Sequence, residues 1–130
     1  MIGQRERQAR GRRAELAVAD YLFARGFEIL GTNVRVGPLE IDVVARSGSL
    51  VVVVEVRTRG ATSFVPALAS LSAAKKARLV RAAEGLWQTQ LSQMPGVERV
   101  RIDVAAVTFG PGPSGDASVE YFEAALAGGD

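Results

Sequence analysis

Four consecutive valines, Val51 to Val54, followed by Glu55-Val56-Arg57, constrain this 130-residue chain more than any other feature. A strand points successive side chains to opposite faces, so an unbroken valine run predicts a strand covered on both sides. Such a strand needs a layer of structure above it and another below. Glu55 and Arg57 then stand where the buried strand ends, and their spacing gives them a common face. Burying charge there would cost several kcal/mol unless it were paired or bound to a cation.

The chain is long enough, and at 48% hydrophobic residues apolar enough, for one core but not two. No apolar run approaches the roughly 20 residues that span a bilayer, and no signal-peptide segment follows the N-terminal arginines. A protein without membrane partners, in the cytoplasm, is expected. Cysteine and histidine are both absent, which removes disulfides, thiolate and imidazole metal sites, thiol nucleophiles and every His-dependent triad. Any catalysis must run on carboxylates, Lys, Tyr, Ser/Thr or a metal.

Periodicity predicts the elements. Ala14, Ala17, Val18, Tyr21 and Leu22 recur at helical spacing within 8–25, and Gly26 stops the helix. Strands are expected over 27–34, 39–46 and 49–57, the last two joined by a turn at Ser47-Gly48. A loop over 60–70 leads to a helix over 72–93, with Ser72 as N-cap and Pro95-Gly96 closing it. Strands over 100–109 and 119–124 flank the Gly/Pro-rich stretch 110–115. Helix, three strands, helix, two strands predicts an α/β fold, a mixed central sheet flanked by helices. One domain is expected over 11–126, between a basic, disordered arm at 1–10 and a tail at 127–130.

Carboxylates gather in two of those strands. Leu39-Glu40-Ile41-Asp42-Val43-Val44-Ala45 places Glu40 and Asp42 on one face, and a tight turn brings this strand back beside Glu55. Upstream, Glu15 falls among Val18, Ala19 and Leu22 on its helix and faces at least partly inward. Acids converging at a sheet end suit a hard cation such as Mg2+, which retains waters and can activate one against a phosphodiester. For each carboxylate alone, an ion pair to Arg46, Arg57 or Arg59 is the plainer account. The combination favours the metal.

Positive charge is distributed to match. Residues 1–13 hold Arg5, Arg7, Arg10, Arg12 and Arg13 against Glu6, a pattern that neutralises phosphates or forms a solvated terminus. No aromatic side chain interleaves those arginines, which argues against a stacking platform for single strands. In the second helix, Lys75 and Arg78 lie in the arc of Leu71, Leu79, Ala82 and Leu86, so their stems run along the core face towards the acids. Snorkelling at the first helical turn is the plainer account of either one alone. Trp87 lies on the flank of that stripe and reads as packing. Asp103 is a lone carboxylate in an apolar strand, with no role legible in the sequence.

In order along the chain, Gly11-Arg12-Arg13-Ala14-Glu15-Leu16-Ala17, Asn33-Val34-Arg35, 39–45, Val54-Glu55-Val56-Arg57-Thr58-Arg59 and 75–79 resemble the YraN-like family of small bacterial proteins. That family is similar in turn to archaeal Holliday-junction resolvases and the PD-(D/E)XK nuclease superfamily. The resemblance implies a restriction-endonuclease-like α-β-β-β-α-β core, here with a short fifth strand. It implies a metal-dependent DNA endonuclease hydrolysing phosphodiester bonds, acting on branched or structured DNA with Mg2+ or Mn2+. Asp42 matches the metal-binding aspartate, Glu55 the second acid, Glu15 the helical glutamate that completes resolvase sites, and Glu40 the extra acid of the Glu-Ile-Asp step. Lys75 matches a helix lysine that contacts the scissile phosphate; Arg78, Arg12, Arg13 and Arg59 are the further nucleic-acid candidates. The sequence departs from the pattern twice, with Leu39 where the family has glycine and Arg57 where the motif has lysine. Arginine is the poorer proton acceptor, so Arg57 is assigned as an electrostatic clamp. Resolvases work as symmetric dimers on matching strands, so a homodimer is the implied assembly. The alternatives from other classes are a non-catalytic DNA-binding accessory protein and a protein-interaction module whose acids are structural.

Overall fold

In the computed structural model, which describes residues 3–59, 69, 71–112 and 115–126, the valine run forms the middle of a five-stranded sheet. The elements in chain order are α1 (Gln4–Ala24), β1 (Glu28–Val36), β2 (Leu39–Ser47), β3 (Leu50–Arg59), α2 (Ala73–Thr89), a 3-10 turn at Leu91–Gln93, β4 (Arg99–Phe109) and β5 (Ala117–Phe122). The sheet order is β1-β2-β3-β4-β5. Neighbours are antiparallel except β3 and β4, which are parallel because α2 carries the chain back to the end where β3 began. The fold is the expected mixed α/β arrangement. Among the described residues, no helix is long and apolar enough to cross a membrane.

Each face of the sheet has its own helix. Val52 and Val54 pack with Ala14, Val18 and Leu22 of α1, together with Val43, Ala45, Ala105 and Val107. Val51 and Val53 pack on the other side with Ala82, Ala83 and Leu86 of α2, together with Val44 and Leu91. All four valines are buried, so the strand is covered twice as its composition requires. Burial of this kind contributes about 1.5–3 kcal/mol per large aliphatic side chain.

Several boundaries differ from the periodicity. Helix α1 begins at Gln4, so the stretch expected to be a disordered arm supplies its first turns. Arg, Gln, Glu and Ala are good helix formers whether or not an apolar stripe accompanies them, and the stripe here starts only at Ala14. At its other end, Gly26 at φ 91 lets the Gly26 and Phe27 amides return to Phe23 and Leu22. Helix α2 stops at Thr89 rather than continuing to 93. The Thr89 hydroxyl donates back to the Gly85 carbonyl at 2.8 Å, and the following 3-10 turn tucks Leu91 into the α2-side core. Strand β5 begins two residues early, at Ala117, because it pairs with β4 from Val104↔Phe122 to Phe109↔Ala117. The loop expected over 60–70, apart from Ala69, and the tail at 127–130 lie outside the described residues.

Candidate active site

The β2–β3 ladder runs from Ser47↔Leu50 to Val43↔Val54 and stops there. Beyond it β2 stays with β1 and β3 stays with β4, so the two strands part where Asp42 and Glu55 stand. The Val56 amide, which would otherwise lack a strand partner on that side, donates to Asp42 Oδ2 at 2.8 Å. The packing of β2 also turns over at this point. Val43 and Ala45 join the α1-side core, while Ile41, two residues earlier, joins the α2-side core. Opposite Asp42 in the register, between Thr32↔Val43 and Val34↔Ile41, lies Asn33 at φ 52, a left-handed conformation that asparagine tolerates better than most residues. The hairpin bends here.

Glu55 is 4% exposed and points to the α2 side. Two cations reach its Oε2: Lys75 Nζ at 3.5 Å from the first turn of α2 and Arg57 Nη1 at 3.8 Å along the same strand. Lys75 is placed by the helix start, since Ser72 Oγ accepts its amide at 3.1 Å. Burial, then the charge of Asp42, push the Glu55 carboxyl up to about 7, against the pull of Lys75 and Arg57; hydrogen bonding to Asp42 adds to the rise. Burial raises Asp42 as well, opposed by the Val56 amide, the Glu55 hydrogen bond and Lys75. Two carboxyl groups thus share a site that disfavours a double negative charge.

Glu15 reaches the margin of this pair from α1. Asn33 Nδ2 donates to its Oε1 at 2.9 Å. Burial raises its carboxyl, the Asn33 bond lowers it, the charges of Asp42 and Glu40 raise it further, and Arg12 lowers it. Glu40, expected to share a face with Asp42, is exposed and pairs with Arg35 at 3.6 Å, acting on Asp42 through its field. Arg78 joins Pro38, Leu39, Glu40, Asp42, Lys75 and Leu79 in lining a cleft of about 180 Å³. Leu39 forms part of that wall. Arg13 lies over the Phe109 ring at 4.5 Å and donates to the Gly115 carbonyl at 3.0 Å, so it ties α1 to the β4–β5 connection. The side chain of Arg59 lies outside the described residues.

The structure therefore joins Asp42, Glu55, Arg57 and Lys75 directly, with Glu15, Glu40, Arg12 and Arg78 around them. Asn33 is the participant that reading by residue type missed. Its signal was faint: a residue that tolerates a left-handed conformation inside a predicted strand.

Asp103 is explained separately. Fully buried, it accepts two bonds from Arg101 at 2.9 and 3.0 Å, one from the Tyr121 hydroxyl at 2.6 Å and one from the Ala124 amide at 2.8 Å. Tyr121 stacks on Tyr21 of α1, with ring centroids 5.3 Å apart. Asp103 thus fastens β4 to β5 and the turn that follows, on the face opposite Glu55. A larger groove of about 590 Å³, lined among others by Val80, Trp87, Val100 and Leu126, shares no residue with the acid cleft.

The donor set fits a hard divalent cation. Asp42 and Glu55 offer only carboxylate oxygens, and a cation would relieve the repulsion between them. Among the described residues no three acidic side chains converge closely enough to hold a metal between them, so two carboxylates and retained waters would make up the coordination, as Mg2+ prefers.

Comparison with known proteins agrees with the resemblance read from the sequence. The family described as Uncharacterised protein family UPF0102, the YraN family, matches residues 14–107. The chain is 56% identical over 120 residues to a UPF0102 protein of Sorangium cellulosum (strain So ce56), covering 92% of this chain and 82% of that protein. It is 40% identical over 123 residues to one of Anaeromyxobacter dehalogenans (strain 2CP-C), covering 94% and 87%. A third, from Kineococcus radiotolerans, is 42% identical over 110 residues, covering 83% and 87%.

Proposed function

The chain belongs to the UPF0102 family, and we propose that it is a divalent-metal-dependent DNA endonuclease built on a restriction-endonuclease-like core. One observation carries the reading: Asp42 and Glu55 meet where β2 and β3 part, with Lys75 and Arg57 on the same carboxylate. The element order α-β-β-β-α-β, followed by β5, supports it.

Asp42 and Glu55 would hold Mg2+ or Mn2+ together with retained waters; Glu15, the further ligand that the resemblance implies, stands at the margin of the pair and outside that set. When bound, the cation supplies Lewis-acid activation of water and charge neutralisation at the phosphate. The Val56 amide fixes the Asp42 carboxylate, and Asn33 fixes Glu15. Lys75 and Arg57 stand where negative charge would develop on a phosphodiester lying over Glu55, and Arg78 extends that positive wall along the cleft. Arg57 acts as a charge clamp rather than a base, because its guanidinium does not give up a proton at neutral pH.

A second reading has its own support. Lys75 and Arg57 already pair with Glu55 without any metal, which suits a DNA-binding accessory protein that does not cut. A cleavage assay on duplex, single-stranded, flapped and four-way DNA with Mg2+ or Mn2+ separates the two. The endonuclease reading expects cutting that Asp42→Ala and Glu55→Ala abolish while DNA binding persists. It expects Arg57→Ala to slow cutting by about 10²-fold and Arg57→Lys to retain it. No cutting of any substrate, or cutting that survives Asp42→Ala, transfers the site to the accessory reading.

A further inference from the structure

Helix α1 is longer than the body it packs on. Its first buried residue is Ala14, whereas 3–10, 12 and 13 are exposed. Arg13 is held to Phe109 and the Gly115 carbonyl, so the nine residues Gln4 to Arg12 project beyond the body as a helix about 14 Å long at ~1.5 Å per residue. Glu15, at the root of this overhang, lies in the field of Asp42, so the projection starts beside the acid pair.

The charges on the overhang are arranged. At ~100° per residue, Arg5 and Arg12 fall within about 20° of each other, and Arg7 and Arg10 fall within about 60°. The mean directions of the two pairs are about 180° apart. The helix carries two arginines on each of two opposite sides. Between them, Gln4, Gln8 and Gly11 form a stripe that carries no charge and continues along the helix to Glu15. Glu6, the one acid of the overhang, lies on the reverse side from that stripe.

Opposed cations with a neutral polar edge between them match a ligand with two negative walls and a floor that can be hydrogen-bonded. B-form DNA has such a space. Its major groove, roughly 12 Å wide, admits an α-helix between two phosphate backbones. The major groove of A-form RNA is too deep and narrow for side chains to read. A single strand offers one backbone, and the overhang has no aromatic residue on which bases could stack. We propose that Gln4–Arg12 of α1 lies in the major groove of duplex DNA, with Arg5 and Arg12 on the phosphates of one wall, Arg7 and Arg10 on those of the other, and Gln4 and Gln8 towards the base edges. This rests on the endonuclease reading only in taking a nucleic acid as the ligand.

The test uses the full chain in EDTA, so that binding is measured without cutting. Fluorescence anisotropy across a salt series compares duplex DNA, duplex RNA and single-stranded DNA of one sequence, and dimethyl sulfate probes guanine N7 in the major groove. Duplex DNA should bind at least about ten-fold tighter than the other two. Wild type should protect N7 from methylation. Each double variant, Arg5→Gln/Arg12→Gln and Arg7→Gln/Arg10→Gln, should lower the salt slope by about 2, since each removes two phosphate contacts. All four positions are exposed and glutamine suits helices, so melting temperatures should not change. Equal affinity for duplex RNA, unprotected N7, or slopes unchanged in both doubles overturns the groove assignment. A protein that meets these expectations but does not cut with metal loses only the endonuclease reading. One that cuts through Asp42 but fails them loses only the placement of the helix.

Discussion

Asp42 and Glu55 oppose each other in the metal-free protein, and that opposition has measurable consequences. The Glu55 carboxyl lies at about 7, above the 4.5 of an unburied glutamate, so the folded chain binds its proton more tightly than the unfolded chain does. Stability from this group is fully present below about 4.5 and is lost as pH rises through about 7. With no histidine in the chain, no imidazole titrates in that window. Urea denaturation in EDTA should show stability falling from pH 5 to pH 8, and Glu55→Gln should flatten the profile; a flat or rising wild-type profile would contradict the pairing. Asp42→Asn keeps an oxygen for the Val56 amide while removing a negative charge. It should raise the metal-free melting temperature by about 2–5 °C, whereas Mg2+ should stabilise the wild type more than the variant. Equal Mg2+ shifts in both would exclude this pair as the site. Asn33→Ala should release Glu15 and lose about 1 kcal/mol, including the left-handed backbone that alanine tolerates less well.

At the scale of elements, α2 links stability to the site. Ser72 Oγ accepts the Lys75 amide at the start of the helix, and the Lys75 side chain reaches Glu55. Ser72→Ala should therefore destabilise by about 1 kcal/mol in chemical denaturation and, under the endonuclease reading, also lower cutting. A loss of stability with unchanged cutting would mean that Lys75 is held from elsewhere. How far such elements could be read in advance depended on the signal each carries. The valine run and the Ser47-Gly48 turn give strong local patterns, and β2, β3 and their connection lie close to where those patterns place them. The start of α1 gives none, since its first three turns touch no core and hence show no apolar period. The end of α2 was obscured because Leu91 is apolar whether it belongs to a helix or to the 3-10 turn after it.

The whole molecule shows the same division. Residue types and strand alternation were enough to join Asp42, Glu55, Arg57 and Lys75, because each lies on an element whose inner face is apolar. Alternation put Glu40 beside Asp42, and both line the cleft, but it could not show that Glu40 is exposed and paired with Arg35. Asp103 could not be understood from β4 alone, because its partners Tyr121 and Ala124 come from β5 and the turn that follows. The parting of β2 from β3, which creates the site, is a property of three neighbouring strands together and leaves no mark in any one of them. Whether that opening holds a cation is the question on which the functional account depends. Isothermal titration of Mn2+ into the metal-free protein answers it most directly. Wild type should bind one Mn2+ per chain, Asp42→Ala and Glu55→Ala should each abolish binding, and Glu40→Gln should leave it nearly unchanged. A wild-type chain that binds no Mn2+, or one whose binding survives Asp42→Ala, would contradict the metal site.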